Sequence, residues 1–263
     1  MTAPLFAGFE GARLHWNGHC TLTQTRHTPE ADMARDTLPE RFNPRQRWEC
    51  ARRALPETTP VVWSLVHFDQ PLNPVAHARA VARLIGPHDR LIAVNEPSVG
   101  TAVAGYTRDE AAMLAAAMMG AALAENARVR FWTCDPVHDC GDHVWWVTDH
   151  LVQLFGPAIE VVGVNYHACH AGVPLRDVLR CAADRYPNHR IGLTETSWHE
   201  GLPEAEARHP GIRSGRDWWD HVQDEIAASG VPLACATWAP WLDMSWEGPP
   251  WPNGWPAREL EKV

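Results

Sequence analysis

The stretch Leu91–Gly100, LIAVNEPSVG, decides how this chain is read. Leu91 to Val94 are four apolar residues in a row, the pattern of a short buried strand, and Asn95-Glu96-Pro97 follow at once. Proline has no N–H to give a ladder, so pairing ends there and a carboxylate is left at the tip of a hydrophobic strand. Parallel-sheet enzymes keep their chemistry at such tips. The arrangement recurs at IGLTETSW, Ile191–Trp198, where Glu195 ends a second apolar run. Two glutamates on separate strand ends, with βα units between them, are what double-displacement glycoside hydrolysis requires: one acid/base, one nucleophile.

Outward from these two strands the chain alternates. Val61–Val66, Val129–Cys134, Ile159–Val164, Arg190–Thr194 and Pro232–Thr237 read as strands. Val75–Ile85, Arg108–Asn126, Val144–Phe155, Leu175–Arg185 and Asp217–Ala228 carry helical spacing. Thr107 with Glu110 three residues on is a capping box that starts the clearest helix. Strands alternating with helices predict a parallel sheet. The front third is less regular. Pro4–Gly11 reads as a first strand, residues 12–32 are polar without helical period, Met33–Pro39 reads as a shortened second strand, and Arg45–Leu55 suits a short helix. A Trp/Pro/Gly-rich loop with a brief helix near Ala257–Leu260 ends the chain. The expected fold is therefore α/β, a compact (β/α)8 TIM barrel with an incomplete first βα unit, formed by one domain over residues 1–263.

Composition narrows the function. A net charge of −9 offers no basic face for nucleic acid. No segment approaches the roughly 20 apolar residues of a membrane helix, and MTAPLFAGFEG lacks the basic flank and apolar run of a secretory signal. Seven cysteines without a CxxC pair read as reduced, buried small residues, which together with the start of the chain points to the cytoplasm. Lys262 is the only lysine, so Schiff-base and pyridoxal chemistry, which need an interior lysine, are disfavoured and no cofactor is expected. Fourteen tryptophans exceed the needs of a core this size and suit stacking on sugar rings. The histidines, among them His15, His19, His27, His138, His143, His167 and His170, form neither HxH on a strand nor HExxH on a helix, so no metal is expected.

Five stretches in order carry a resemblance to a known family. Trp63–Pro71 (WSLVHFDQP), Asn95–Pro97 (NEP), Val161–Cys169 (VVGVNYHAC), Thr194-Glu195 and Thr237–Trp246 (TWAPWLDMSW) resemble the third, fourth, sixth, seventh and eighth strand ends of the clan A glycoside hydrolases, most closely family 1. That family's sixth strand reads GVNYY and its eighth WSLLDNFEW. The resemblance implies a retaining β-glycosidase for small soluble glycosides, with Glu96 as acid/base, Glu195 as nucleophile and Tyr166 as the neighbour that keeps Glu195 ionised. It further implies that Asn95 and His67 read substrate hydroxyls, that Trp238 forms the floor under the sugar, and that Glu10, Arg35 and Trp246 complete the binding site. Two departures stand out. The first βα unit is shortened, and the tail has Ser245 before Trp246 where the family has an acid, with Asp243 displaced by one position. They motivate two rival readings, a barrel that binds a sugar or metabolite without hydrolysis, and a metal-dependent hydrolase using the histidines.

Overall fold

The computed structural model describes residues 12–15, 61–65, 73–98, 107–169, 172–198 and 203–238. Among these residues eight strands form one sheet: β1 (Ala12–His15), β2 (Val61–Ser64), β3 (Arg90–Ile92), β4 (Phe131–Trp132), β5 (Asp135–Pro136), β6 (Ile159–His167), β7 (Arg190–Ser197) and β8 (Leu233–Trp238). Every pairing is parallel, in the order β1-β2-β3-β4-β6-β7-β8, with β5 continuing the line of β4 along β6. The helices are α1 (Pro74–Ala82), α2 (Arg108–Glu125), α3 (Asp142–Phe155), α4 (Leu175–Arg185), α5 (Pro203–Arg208) and α6 (Gly215–Ser229). Together they form a curled parallel sheet with connecting helices, a compact and incomplete (β/α)8 barrel. Among the described residues no helix is long and apolar enough to cross a membrane.

Period-2 alternation along the strands sorts the core into two layers. Trp63, Leu91, Phe131, Val162 and Leu233 join a large cluster with helix residues such as Met118, Trp145, Leu179 and Trp218. Their chain neighbours Val62, Ile92, Trp132, Val161 and Ala234 form a second cluster with Cys134 and Cys235, to which no described helix contributes. A sheet buried on both faces explains why its strands read as unbroken apolar runs. Six of the fourteen tryptophans go into this packing: Trp63, Trp132, Trp145, Trp198, Trp218 and Trp219 are buried. For these six, structure replaces the sugar-stacking expectation with core packing.

The capping box of α2 is present, Thr107 Oγ1 accepting from the Glu110 amide at 3.2 Å while the Glu110 carboxylate accepts from the Thr107 amide at 2.6 Å. Three further expectations are corrected. β1 comprises Ala12–His15, a stretch read as irregular, and it pairs directly with β2 in the register Ala12↔Val61. Met33–Pro39, like Pro4–Gly11, Arg45–Leu55 and the tail, lies outside the described residues. Helix α5 falls in a stretch for which no element was expected. Finally, Cys140 and Cys181 form a disulfide, with Cα atoms 6.0 Å apart, that ties the turn before α3 to α4. A separation of 41 residues concealed this pair; only docking of successive βα units brings it together. Cys134, Cys169 and Cys235 are buried, as expected.

One glycine is demanded by the packing. A Cβ at Gly163 would lie 2.1 Å from the Thr133 carbonyl oxygen and 2.5 Å from Thr194 Cγ2. The first contact is backbone of a neighbouring strand and cannot swing away. Gly163→Ala should therefore destabilise the fold by about 1–3 kcal/mol, the usual range for overpacking, read as a lower urea midpoint at unchanged m-value.

Candidate active site

The β3 ladder ends at Ile92, but the chain stays beside the next strand because the Glu96 amide donates to the Cys134 carbonyl at 2.8 Å. Glu96 has φ +48°, and among the described residues it is the single non-glycine with positive φ. A left-handed conformation at a residue with a Cβ costs roughly 1–3 kcal/mol and persists where surrounding bonds enforce it, typically at functional sites. The conformation turns the carboxylate of Glu96 toward the ends of β6 and β7.

Glu195 arrives from β7 through a bulge. The β6–β7 register pairs Val164 with Leu193 but Asn165 with Glu195, so Thr194 is the extra residue. A bulge re-aims side chains, and here both Thr194 and Glu195 address Asn165. Thr194 Oγ1 donates to Asn165 Oδ1 at 2.8 Å. Asn165 Nδ2 in turn donates to Glu96 Oε1 at 2.7 Å and to Glu195 Oε2 at 3.3 Å. One amide thus bridges the two carboxylates.

His167, two residues along β6 on the same face, adds a second bridge. Its Nε2 lies 3.5 Å from Glu96 Oε1 and 3.7 Å from Glu195 Oε1, and its Nδ1 meets Ser197 Oγ at 2.8 Å. One ligand atom each from Glu96, His167 and Glu195 fall within 4.8 Å of one another. Glu195 and His167 are buried and Glu96 nearly so, its side chain 15% exposed. Such a set can exchange a proton, present a nucleophilic carboxylate, or hold a divalent cation with one imidazole and two carboxylates.

Asn95 is buried at the foot of the cluster, its Oδ1 taking the Cys134 thiol at 2.9 Å. Tyr166 corrects an expectation. Its hydroxyl donates to the Val173 carbonyl at 2.7 Å and its ring stacks on Trp218 of α6, centroids 6.0 Å apart. Alternation sends it to the helix layer, where burial raises its pKa, and it does not reach Glu195. Among the described residues, Asn165 and His167 reach Glu195, and both were absent from the expected site. Counting by twos from Asn165 in GVNYH would have found His167, which stands where the family's GVNYY has its second tyrosine. Trp238 ends β8, paired with Thr196, and its side chain is outside the described residues, as are Glu10, Arg35, His67 and Trp246.

Comparison with known structures places this geometry on a familiar scaffold. A GH53 catalytic domain from Ignisphaera aggregans superposes with TM-score 0.54 at 16% identity, covering 97% of this chain and 84% of that one. A psychrophilic family 10 endo-β-1,4-xylanase gives 0.51 at 13%, covering 88% and 86%. The family 1 β-glucosidase from Thermotoga maritima gives 0.50 at 12%, covering 87% and 73%. The shared feature is the fold. Three glycoside hydrolase families of clan A appear among these neighbours, so the likeness reaches the barrel and does not single out family 1. No protein-family model and no curated protein matches the sequence.

Proposed function

We propose that the protein is a retaining β-glycosidase acting on small soluble β-glycosides. The observation that carries this reading is the closeness of the two carboxylates, bridged by Asn165 and each within 4.8 Å of the other by its nearer ligand atom. Retaining enzymes hold their carboxyl groups about 5–5.5 Å apart, whereas inverting enzymes leave about 6.5–9.5 Å for a water. In the proposed reaction Glu195 attacks the anomeric carbon while Glu96 gives its proton to the departing aglycone oxygen. A glycosyl ester on Glu195 results. Water then attacks the same carbon, surrendering a proton to Glu96, and the sugar leaves with its configuration retained. Asn165 and His167 hold the carboxylates in register through both steps. The partner is a small-molecule glycoside, with no role for nucleic acid or membrane. In the cytoplasm expected from the sequence, Cys140 and Cys181 would be kept as thiols; the bond between them suits an oxidising compartment.

The convergence of Glu96, His167 and Glu195 favours a second reading, a hydrolase dependent on a divalent metal held by these three groups. One experiment separates the two: a panel of aryl β-glycosides with and without EDTA, following the released sugar by NMR. The retaining reading expects EDTA-insensitive turnover in which the β anomer appears first. First appearance of the α anomer, or turnover of no glycoside, overturns it. Activity lost to EDTA and restored by Zn²⁺ selects the metal reading.

A further inference from the structure

A further buried carboxyl lies beside this site without a part in the proposed reaction. Asp135, on β5, is 1% exposed. Its Oδ1 accepts from both the amide (3.1 Å) and the hydroxyl (2.6 Å) of Ser98, while its buried Oδ2 has no hydrogen-bond partner among the described residues. Resting on the glycosidase reading, we propose that Asp135 is a positioning residue that clamps the turn Asn95–Ser98 and thereby aims the carboxyl of Glu96.

The left-handed backbone of Glu96 needs restraint on both sides. On its N-terminal side the Glu96 amide is tied to the Cys134 carbonyl. On its C-terminal side Pro97 has no N–H, so the Ser98 amide is the first donor available to anchor the chain. Asp135 takes that donor. Two consecutive residues, Cys134 and Asp135, therefore grip the turn at both ends, and Glu96 sits between the grips. Loss of one grip lets the backbone relax and carries the carboxyl away from Asn165 and His167.

The state of the clamp follows from its surroundings. Burial pushes the Asp135 carboxyl up to about 7, against the pull of the Ser98 bonds; Glu96 across the turn adds to the rise, and Arg108 at the start of α2 opposes it. Below neutrality Asp135 is a neutral acid that accepts from Ser98 through Oδ1. Above pH of about 7 it becomes a second negative charge near Glu96, which favours the protonated form of Glu96.

The test compares Asp135→Leu, Asp135→Asn and Ser98→Ala by steady-state kinetics and by amide exchange at Ser98. Asp135→Leu should lower kcat about a hundredfold with KM changed less than about threefold, as expected for a displaced reacting group. It should also speed exchange of the Ser98 amide at least about tenfold. Asp135→Asn keeps the acceptor and should recover both readouts to within about fivefold; because it cannot ionise, its basic limb of kcat/KM should move to lower pH. Should Asp135→Leu not fold, Ser98→Ala removes the shorter bond and should cut kcat about tenfold. Wild-type kcat in Asp135→Leu or Ser98→Ala, or Ser98 protection intact in Asp135→Leu, overturns the assignment. If the wild type cleaves no glycoside the glycosidase reading fails, and the exchange measurement alone then decides whether Asp135 grips the turn.

Discussion

Glu195→Gln should reduce turnover of every glycoside by on the order of 10⁴- to 10⁶-fold, the scale at which loss of a covalent nucleophile acts. Glutamine keeps the volume and an oxygen that Asn165 Nδ2 can meet where it now donates to Glu195 Oε2 at 3.3 Å, so the pocket need not rearrange. The neutral amide cannot form the glycosyl ester. A melting temperature close to wild type would assign the loss to chemistry. Residual activity within about tenfold of wild type would remove Glu195 from the role of nucleophile, since removal of a covalent nucleophile costs far more than that.

Glu96→Ala should give a loss of roughly 10²- to 10⁴-fold, the range of general acid–base catalysis, and the loss should depend on the aglycone. An alkoxide leaving group needs a proton as the bond breaks. An acidic phenol departs without one, so the first step survives on nitrophenyl glycosides and fails on alkyl glycosides. Plotting the wild-type/variant ratio against aglycone pKa checks this. A ratio independent of the aglycone would assign Glu96 to holding the substrate or the structure. The two variants thus separate the glutamates: Glu195 is required for every substrate, Glu96 in proportion to leaving-group basicity.

The parts of the site legible in the sequence share one property: they are local. An apolar run ended by Asn-Glu-Pro or Thr-Glu-Thr announces a strand tip with a carboxylate. The structure brings Glu96 and Glu195 together, from β3 and β7, at Asn165. The register of β6 was equally local, because period-2 alternation already separates Tyr166 from Asn165 and His167. Following the aromatic residue instead placed the partner of Glu195 on the wrong face. The bulge at Thr194 was a different matter. An extra residue in one strand is defined only against its neighbour, and nothing in LTETS marks which residue β6 leaves unpaired. Asp135 shows the limit from another side. Its Asp-Pro ending repeats the pattern of Glu96-Pro97, yet its burial and its grip on Ser98 come from a strand pairing that the motif does not contain.

By itself the sequence determined the alternation of strands and helices, the parallel sheet, the capping box of α2 and the two glutamates, because each rests on side-chain periodicity or on a backbone rule acting within a few residues. Tertiary structure alone decided that β1 lies against β2, that Cys140 meets Cys181, and that Asn165 and His167 stand between the carboxylates. These are contacts between residues far apart in the chain, set by how each strand is registered on the next. A shift of one residue would turn every side chain of that strand to the other face.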